Sequence, residues 1–151
     1  LGAQRLVFCA SPGYLAAHGT PRQAHELADH ACVLYGHENG SVTAWSMAGE
    51  QGNVDRHVMH GRIAIGDGEG QLMAALAGLG ITQLPTWLVD KHLHSGALVE
   101  VLPELAVHSL PINLIWLKSR QSLPKVKALL SVLGACLTPA GRTHVEAEKD
   151  T

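Results

Sequence analysis

The chain has no excess of charge of either sign. Its 151 residues include 11 lysine and arginine residues against 13 aspartate and glutamate residues, a formal net charge of −2. Proteins that hold the phosphate backbone of a nucleic acid need a broad positive surface, and this composition does not supply one. We therefore do not expect this chain by itself to bind DNA or RNA.

Cysteine is also scarce. Cys9, Cys32 and Cys136 are the three cysteines, they show no C-x-x-C spacing, and each lies in an apolar run. An odd number of cysteines without metal or redox spacing is typical of unpaired residues in the core of a protein from a reducing compartment. The cysteines predict a cytoplasmic protein with three reduced core thiols.

Long apolar runs are absent as well. No stretch reaches the ~20 apolar residues that a bilayer span requires, so no membrane partner is predicted. The first residues lack the charged start and apolar block of a secretory signal and enter a strand-like stretch at once. This start predicts that the chain is the later portion of a longer protein.

The most informative run that is present covers residues 67–89. Asp67 is a favourable helix N-cap, and Leu72, Met73, Leu76 and Leu79 recur at the spacing of one apolar helix stripe. Glycines at 78 and 80 end the helix, and a short apolar strand at 81–84 follows before a proline. A helix joined so closely to a buried strand indicates a layered α/β sheet, which a chain with 46% hydrophobic residues can cover with a real core.

Patterns of the same kind predict the other elements. Ser11 and a Thr20–Gln23 capping box should each begin a helix, and Thr86 and Ser122 should cap two more. We expect strands at 5–10, 32–35, 43–47, 97–102 and 111–117, helices at 11–18, 20–29, 86–94 and 122–137, a loop at 48–55 and a flexible tail at 139–151.

Several separate motifs in this order resemble a known family. They are ASPGYLA at 10–16, GTP at 19–21, ELADH at 26–30, Trp45, the run at 67–89, GALVEVL at 96–102 and LPKV at 123–126. Together they resemble the effector-binding, or substrate-binding, domain of LysR-type transcriptional regulators, over roughly residues 5–137.

The resemblance implies an α/β, periplasmic-binding-protein-like (type 2) fold, a two-lobed αβα sandwich. It implies that residues 12–84 form a complete distal lobe, and that residues 1–11 and 85–138 are a partial proximal lobe. The N-terminal helix-turn-helix and the first part of the proximal lobe would then be absent. Apolar side chains on the strands at 97–102 and 111–117 and on the last helix should in that case be exposed or covered by a partner.

The function implied is that of a switch rather than an enzyme, with no cofactor. A small-molecule effector would bind in the cleft between the lobes, and a homodimer or homotetramer would pass the change to DNA-binding domains outside this chain. Two alternatives remain open at this point. A solute-binding protein of the same fold would need an export signal, and a two-lobed dehydratase-like enzyme would need a clustered acid and base.

Candidate effector-binding residues fall into two groups. The helix start at Gly66, Asp67 and Gly68 presents backbone N–H groups that suit an anionic or polar effector, although Asp67 and Glu69 are acidic, so a carboxylate ligand would need a cation from elsewhere. The alternative is that Asp67 serves only as a helix cap. The second group lies where strands should cross between the lobes and comprises Ser11, Pro12, Leu84, Pro85 and Thr86. These residues also have a purely structural interpretation as hinge, core or cap.

Ten histidines raise the question of a metal site. The closest pairs are His57 with His60 and His92 with His94. On a strand the first pair would point to opposite faces, and on a helix the second pair would diverge, with no further ligand nearby. We predict no metal site.

Overall fold

A computed structural model describes residues 2–49 and 52–137. The chain divides into two compact units, Gln4–His108 and a second unit made of Leu1–Ala3 with Ser109–Thr151. The strands are β1 Gly2–Ala10, β2 Cys32–Tyr35, β3 Trp45–Ala48, β4 Val54–His57, β5 Ile63–Ile65, β6 Ile81–Pro85, β7 Val99–Val101 and β8 Val107–Ile112. The α-helices are α1 Pro12–His18, α2 Gly68–Leu76, α3 Thr86–His94 and α4 Pro124–Leu137. Short 3₁₀ helices span Ala24–Asp29, Pro103–Leu105 and Lys118–Arg120.

One six-stranded mixed sheet organises the fold. Its order is β5-β2-β6-β1-β7, and β8 also pairs with β1. Strands β5, β2 and β6 are parallel to one another, whereas β1 runs antiparallel to β6 and β7. Strands β3 and β4 form a separate antiparallel hairpin. The α/β class predicted from the sequence is confirmed.

Strand β1 carries the core on both faces of the sheet. Phe8 and Ala10 pack in one buried cluster with Leu27, Trp45 and Ile81. Val7 and Cys9 pack in the other, whose remaining buried members are Leu72, Ala75, Leu84, Val89, Leu98 and Ala106. A strand covered on both sides must be apolar throughout, which is why residues 6–10 carry no alternating polar positions.

Two helix starts form as predicted. The Ser11 hydroxyl accepts a hydrogen bond from the Tyr14 backbone N–H at 3.3 Å, and the helix α1 then ends at Gly19 with φ 84°. Asp67 caps α2 in the same way, with Oδ1 2.6 Å from the Gly70 nitrogen. Both caps are local interactions, so the sequence pattern alone could identify them.

Other predicted starts are wrong. Gln23 makes no side-chain cap, and Glu26 instead accepts from the Arg22 backbone N–H at 2.8 Å, so the second helix is a shorter 3₁₀ helix. Thr86 is the first residue of α3, whose N-cap is Pro85. The predicted loop at 48–55 also contains the start of β4, because the pairing of β3 with β4 extends the hairpin.

The apolar stripe of α2 is displaced from the predicted one. Leu72 faces the core, but Met73 is 64% exposed and Leu79 is 49% exposed, whereas Gln71 is buried. Helix α2 ends at Leu76, so Leu79 lies beyond it and does not follow the helical spacing.

The segment after residue 108 differs most from the elements predicted from the sequence. The strand predicted at 111–117 is instead β8, Val107–Ile112, since pairing with β1 selects the first half of the apolar stretch. Ile115 is 93% exposed, and Leu117, Leu129 and Val132 are exposed as well, so the prediction of exposed apolar side chains is confirmed here. It is wrong for the strand at 97–102, where Leu98, Val101 and Leu102 are buried in the two core clusters. The tail predicted at 139–151 lies outside the described residues.

A buried hydroxyl joins α2 to the sheet. The Thr82 Oγ1 atom is fully buried and lies 3.1 Å from the Val33 carbonyl oxygen and 3.0 Å from Gln71 Oε1. A buried amide that loses its partner carries an uncompensated desolvation cost. This contact therefore fixes the distance between α2 and strands β2 and β6.

We expect Thr82→Val to lower the free energy of unfolding by about 1–3 kcal/mol, because the Gln71 amide loses its buried partner. Adding Gln71→Leu should recover much of the loss, since both polar groups are then gone. Urea unfolding of both variants, with the exposed-site variant Thr43→Val as control, tests this. A loss no larger than that of the control would contradict the expectation.

The three thiols differ in exposure. Cys9 and Cys32 are buried, whereas Cys136 is exposed on α4, so the prediction of three core cysteines is wrong for Cys136. Desolvation raises the pKa of Cys9 to about 12, with a smaller contribution from the Glu100 charge, and burial raises the pKa of Cys32 to about 11. These two thiols stay protonated and unreactive at neutral pH.

We expect iodoacetamide at mildly alkaline pH to modify Cys136 alone in the native chain and all three cysteines in urea. Because both buried thiols have a pKa above the unfolded value of ~8.5, stability should fall as pH rises from there toward the folded values. Mass mapping of the labelled peptides, with Cys136→Ser as control, checks the assignment. Native labelling of Cys9 would contradict it.

Candidate functional site

The carboxyl ends of the parallel strands meet at one edge of the sheet in the unit Gln4–His108. Gly36 follows β2, Gly66 follows β5, and Pro85 ends β6. A Cβ atom added at Gly68 would lie 3.2 Å from Leu88 Cδ2, so the first turns of α2 and α3 adjoin here. Ligands in open α/β sheets bind outside the carboxyl ends of the strands, which makes this edge the candidate site.

A pocket of about 590 Å³ opens at this edge. We call it the carboxyl-edge pocket, and the side chains or backbone of Tyr35, His37, Glu38, Ser41, Gly66 and Asp67 contribute to its lining. The rings of Tyr35 and His37 meet edge to face at 5.3 Å, and His37 Nε2 lies 2.8 Å from Thr43 Oγ1. The lining includes two carboxylates and neither lysine nor arginine. Its charge therefore favours a hydroxyl-bearing or cationic group over a lone carboxylate.

Asp67 already occupies the start of α2. Its Oδ1 atom accepts the Gly70 N–H, and its carbonyl oxygen accepts the Gln71 N–H at 3.3 Å. The capping role that the sequence left open is therefore present. An anion would have to displace the Asp67 carboxylate to reach the Gly70 N–H.

The start of α3 is different. Pro85 is its N-cap and supplies no side-chain hydrogen bond, so no side chain caps its first turn. Thr86 is half-buried there, and the Trp87 ring is 70% exposed with Nε1 donating to Gln4 Oε1 at 3.2 Å. Trp87 was not among the residues predicted from the sequence, and its exposure is seen only in the structure.

Ser11 and Pro12 lie at the opposite edge of the sheet. Strand β1 is antiparallel to β6, with Leu6 opposite Pro85 and Cys9 opposite Thr82, so β1 ends where β6 begins. The structure thus brings Gly66, Asp67, Gly68, Pro85 and Thr86 to one edge and excludes Ser11 and Pro12 from it. Leu84 is 2% exposed, and its side chain packs in the core.

Arg5, on β1, already forms an ion pair with Glu100. Arg5 Nη1 donates to Glu100 Oε2 at 3.1 Å, its second terminal nitrogen donates to Oε1, and Nε lies 3.4 Å from His108 Nε2. Glu100 therefore offsets the Arg5 charge. This arginine is not an open cation for a carboxylate ligand.

The two histidine pairs noted in the sequence lie on different secondary-structure elements. His57 ends β4 and His60 follows in a loop, while His92 and His94 are both on α3. Within residues 2–49 and 52–137, no three histidine, cysteine or acidic side chains come together in a way that could hold a metal ion. In the same part of the chain, no helix is long and apolar enough to cross a membrane.

The fold is of the periplasmic-binding-protein-like type 2 class, the fold of LysR regulatory domains. The chain matches the LysR substrate binding domain family over residues 1–136 and belongs to that family. The regulatory domain of CrgA, a LysR-type transcriptional regulator from Neisseria meningitidis, superimposes with a TM-score of 0.70 at 29% identity, covering 91% of this chain and 66% of that one. The regulatory domain of AphB from Vibrio vulnificus superimposes with a TM-score of 0.67 at 26% identity, covering 89% of this chain and 66% of that one.

Similar sequences are transcriptional regulators. The uncharacterized HTH-type regulator YhjC of Escherichia coli is 31% identical over 137 residues, which cover 91% of this chain and 46% of YhjC. CrgA of Neisseria meningitidis serogroup C is 34% identical over 125 residues, which cover 82% of this chain and 41% of CrgA. The chain therefore spans less than half the length of these relatives.

We expect Asp67→Ala to cost about 1 kcal/mol of unfolding free energy, whereas Asp67→Asn retains most of it because asparagine is an equally good N-cap. Asp90→Ala is the control, since Asp90 is 63% exposed and lies 3.5 Å from His94 Nδ1, a surface pair worth little. Urea unfolding compares the three. Equal losses for Asp67→Ala and Asp90→Ala would exclude a stabilising cap.

Proposed function

We propose that the chain is the effector-sensing domain of a LysR-type DNA-binding transcriptional regulator that works in the cytoplasm. The family match over residues 1–136 carries the proposal, and relatives named as HTH-type transcriptional regulators support it. DNA would be bound by a helix-turn-helix domain joined to this one, because the present chain is not rich in positive charge. The relatives likewise favour a switch over an enzyme, a solute-binding protein or a dehydratase.

The effector surface that we propose is the carboxyl edge of the unit Gln4–His108. Its residues are those that the structure brings together, namely Gly66, Asp67, Gly68, Pro85 and Thr86, with Glu38 and Trp87 added from the geometry. In the complete two-lobed domain, the cleft between the lobes would enclose the effector. Ser11, Pro12 and Leu84 then act through the fold rather than by contact.

The lobe boundaries predicted from the sequence, 12–84 against 1–11 with 85–138, remain a prediction. We propose a different boundary at His108–Ser109. The compactness of Gln4–His108 supports it, because β7 pairs with β1 and α3 packs against β6 inside that unit.

The effector needs only to bind one arrangement of the regulator better than another. A difference of ~1–3 kcal/mol changes the ratio of two states by roughly 5- to 150-fold, enough to alter promoter occupancy. A homodimer or homotetramer would transmit the change, as the two DNA-binding domains must keep a defined spacing.

Thermal unfolding of the full-length regulator in the presence of candidate metabolites tests the proposal. A true effector at a hundred times its Kd should stabilise the protein by about 2.7 kcal/mol and raise Tm accordingly. The rise should shrink in Glu38→Gln and in Asp67→Asn, which keeps the cap, but not in Asp90→Asn. A metabolite that raises Tm equally in all four proteins would place the effector elsewhere, and one that leaves promoter occupancy unchanged would contradict the switch.

A further inference from the structure

A second pocket lies at the opposite, amino edge of the same parallel strands. We call it the amino-edge pocket. It has a volume of about 510 Å³ and is lined where β2 and β5 begin and just before β6, by residues that include His30, Cys32, His60, Arg62, Ile63 and Leu79. A four-residue strand spans roughly 13 Å at about 3.3 Å per residue, so this pocket is distinct from the carboxyl-edge pocket.

The backbone holds the lining residues in place. Val33 and Ile63 are partners in the parallel pairing of β2 with β5, which sets Arg62 beside the start of β2. A Cβ atom at Gly61 would lie only 2.4 Å from the Cys32 carbonyl oxygen, so the chain passes directly against β2 there. The backbone between His60 and Arg62 is therefore held against β2 and is not part of a free loop.

The rim of this pocket includes one arginine. The charged side chains in its lining are Arg62 and Asp29, with His30 and His60 beside them. Within the part of the chain that the structure describes, no carboxylate oxygen lies within 4.0 Å of the Arg62 guanidinium. The other pocket carries two carboxylates and no arginine or lysine, so of the two pockets this one offers a guanidinium to a ligand.

His30 is held in place by Tyr14. The Ala31 backbone N–H donates to the Tyr14 hydroxyl oxygen at 2.9 Å, and Tyr14 Oη lies 3.1 Å from His30 Nδ1. This contact fixes the ring through Nδ1 and does not use Nε2.

The floor of the pocket is apolar. Cys32 is 1% exposed, Ile63 is half-buried, and Leu79, just before β6, is 49% exposed. A ligand with an apolar body would remove the exposed part of Leu79 from water. A phosphate would gain nothing from this floor, and a single arginine suits one negative charge rather than two.

We propose that the amino-edge pocket binds a small monocarboxylate with an apolar body. The carboxylate pairs with the Arg62 guanidinium and accepts from the imidazoles, while the apolar body lies on Ile63 and Leu79. This site is separate from the effector surface proposed above and stands whether or not that proposal holds.

The test is an amide NMR titration of the intact chain with sodium hexanoate at constant ionic strength. We expect saturable shifts at residues 30–32, 60–63 and 79, and about a tenfold weaker Kd in Arg62→Gln, the loss expected for one charge-assisted hydrogen bond. Arg22→Gln, which changes an exposed arginine outside the pocket, is the matched control and should bind like the unchanged chain.

Any of the following results would overturn the site: equal shifts with the neutral analogue hexanamide, shifts confined to Gly36 and Gly66–Gly68, or an unchanged affinity in Arg62→Gln. Should Arg62→Gln fail to fold, Leu79→Asn changes a half-exposed side chain and must also weaken hexanoate binding. Shifts that do not saturate, as for an adventitious additive only, likewise contradict the proposal.

Discussion

The pairing of β1 with β6 and β7 is the interaction on which the rest of the unit Gln4–His108 depends. Four consecutive side chains, Val7 to Ala10, are fully buried and alternate between the two core clusters. Without β1, the parallel strands would lose an antiparallel neighbour, and both faces of the sheet would lose their central side chains. The short strand β7, three residues long, depends on this pairing for its position.

The direction of β1 also determines which helix starts lie at each edge of the sheet. Because it is antiparallel to the parallel strands, its carboxyl end and the start of α1 lie at the amino edge, beside the starts of β2 and β5. The starts of α2 and α3 lie at the other edge. Each edge thus has its own pocket, and the charged side chains there differ, Glu38 and Asp67 on one side and Arg62 with Asp29 on the other.

Some local interactions were predictable from the sequence, although the capping box at Thr20 and the cap at Thr86 were not among them, and the non-local interactions were not predictable. The caps at Ser11 and Asp67 depend on contacts within three residues, and the glycine ends need only a positive φ, so their residue types reveal them. The sequence places Ser11 and Pro85 in one group because strands are expected to cross between the lobes at both positions, but the antiparallel register of β1 shows that they lie at opposite edges. In the same way, pairing with β1 placed β8 four residues earlier than its proline suggested. The carboxyl-edge pocket was partly foreseen through Gly66 and Asp67, whereas Glu38 and Trp87 reach that edge only through the fold.

The buried polar contacts of α2 bear on how a ligand signal could travel. Thr82 on β6 joins the Val33 carbonyl of β2 to Gln71, and Gln71 Nε2 lies 3.5 Å from the Asp67 carbonyl oxygen at the pocket. Moving α2 alone would leave these groups without hydrogen-bond partners. The free-energy cost of that loss is comparable to the coupling energy that an effector has to provide. Closely packed units tend to move as bodies rather than deform. We therefore expect α2 and the strands β2 and β6 to move as one body.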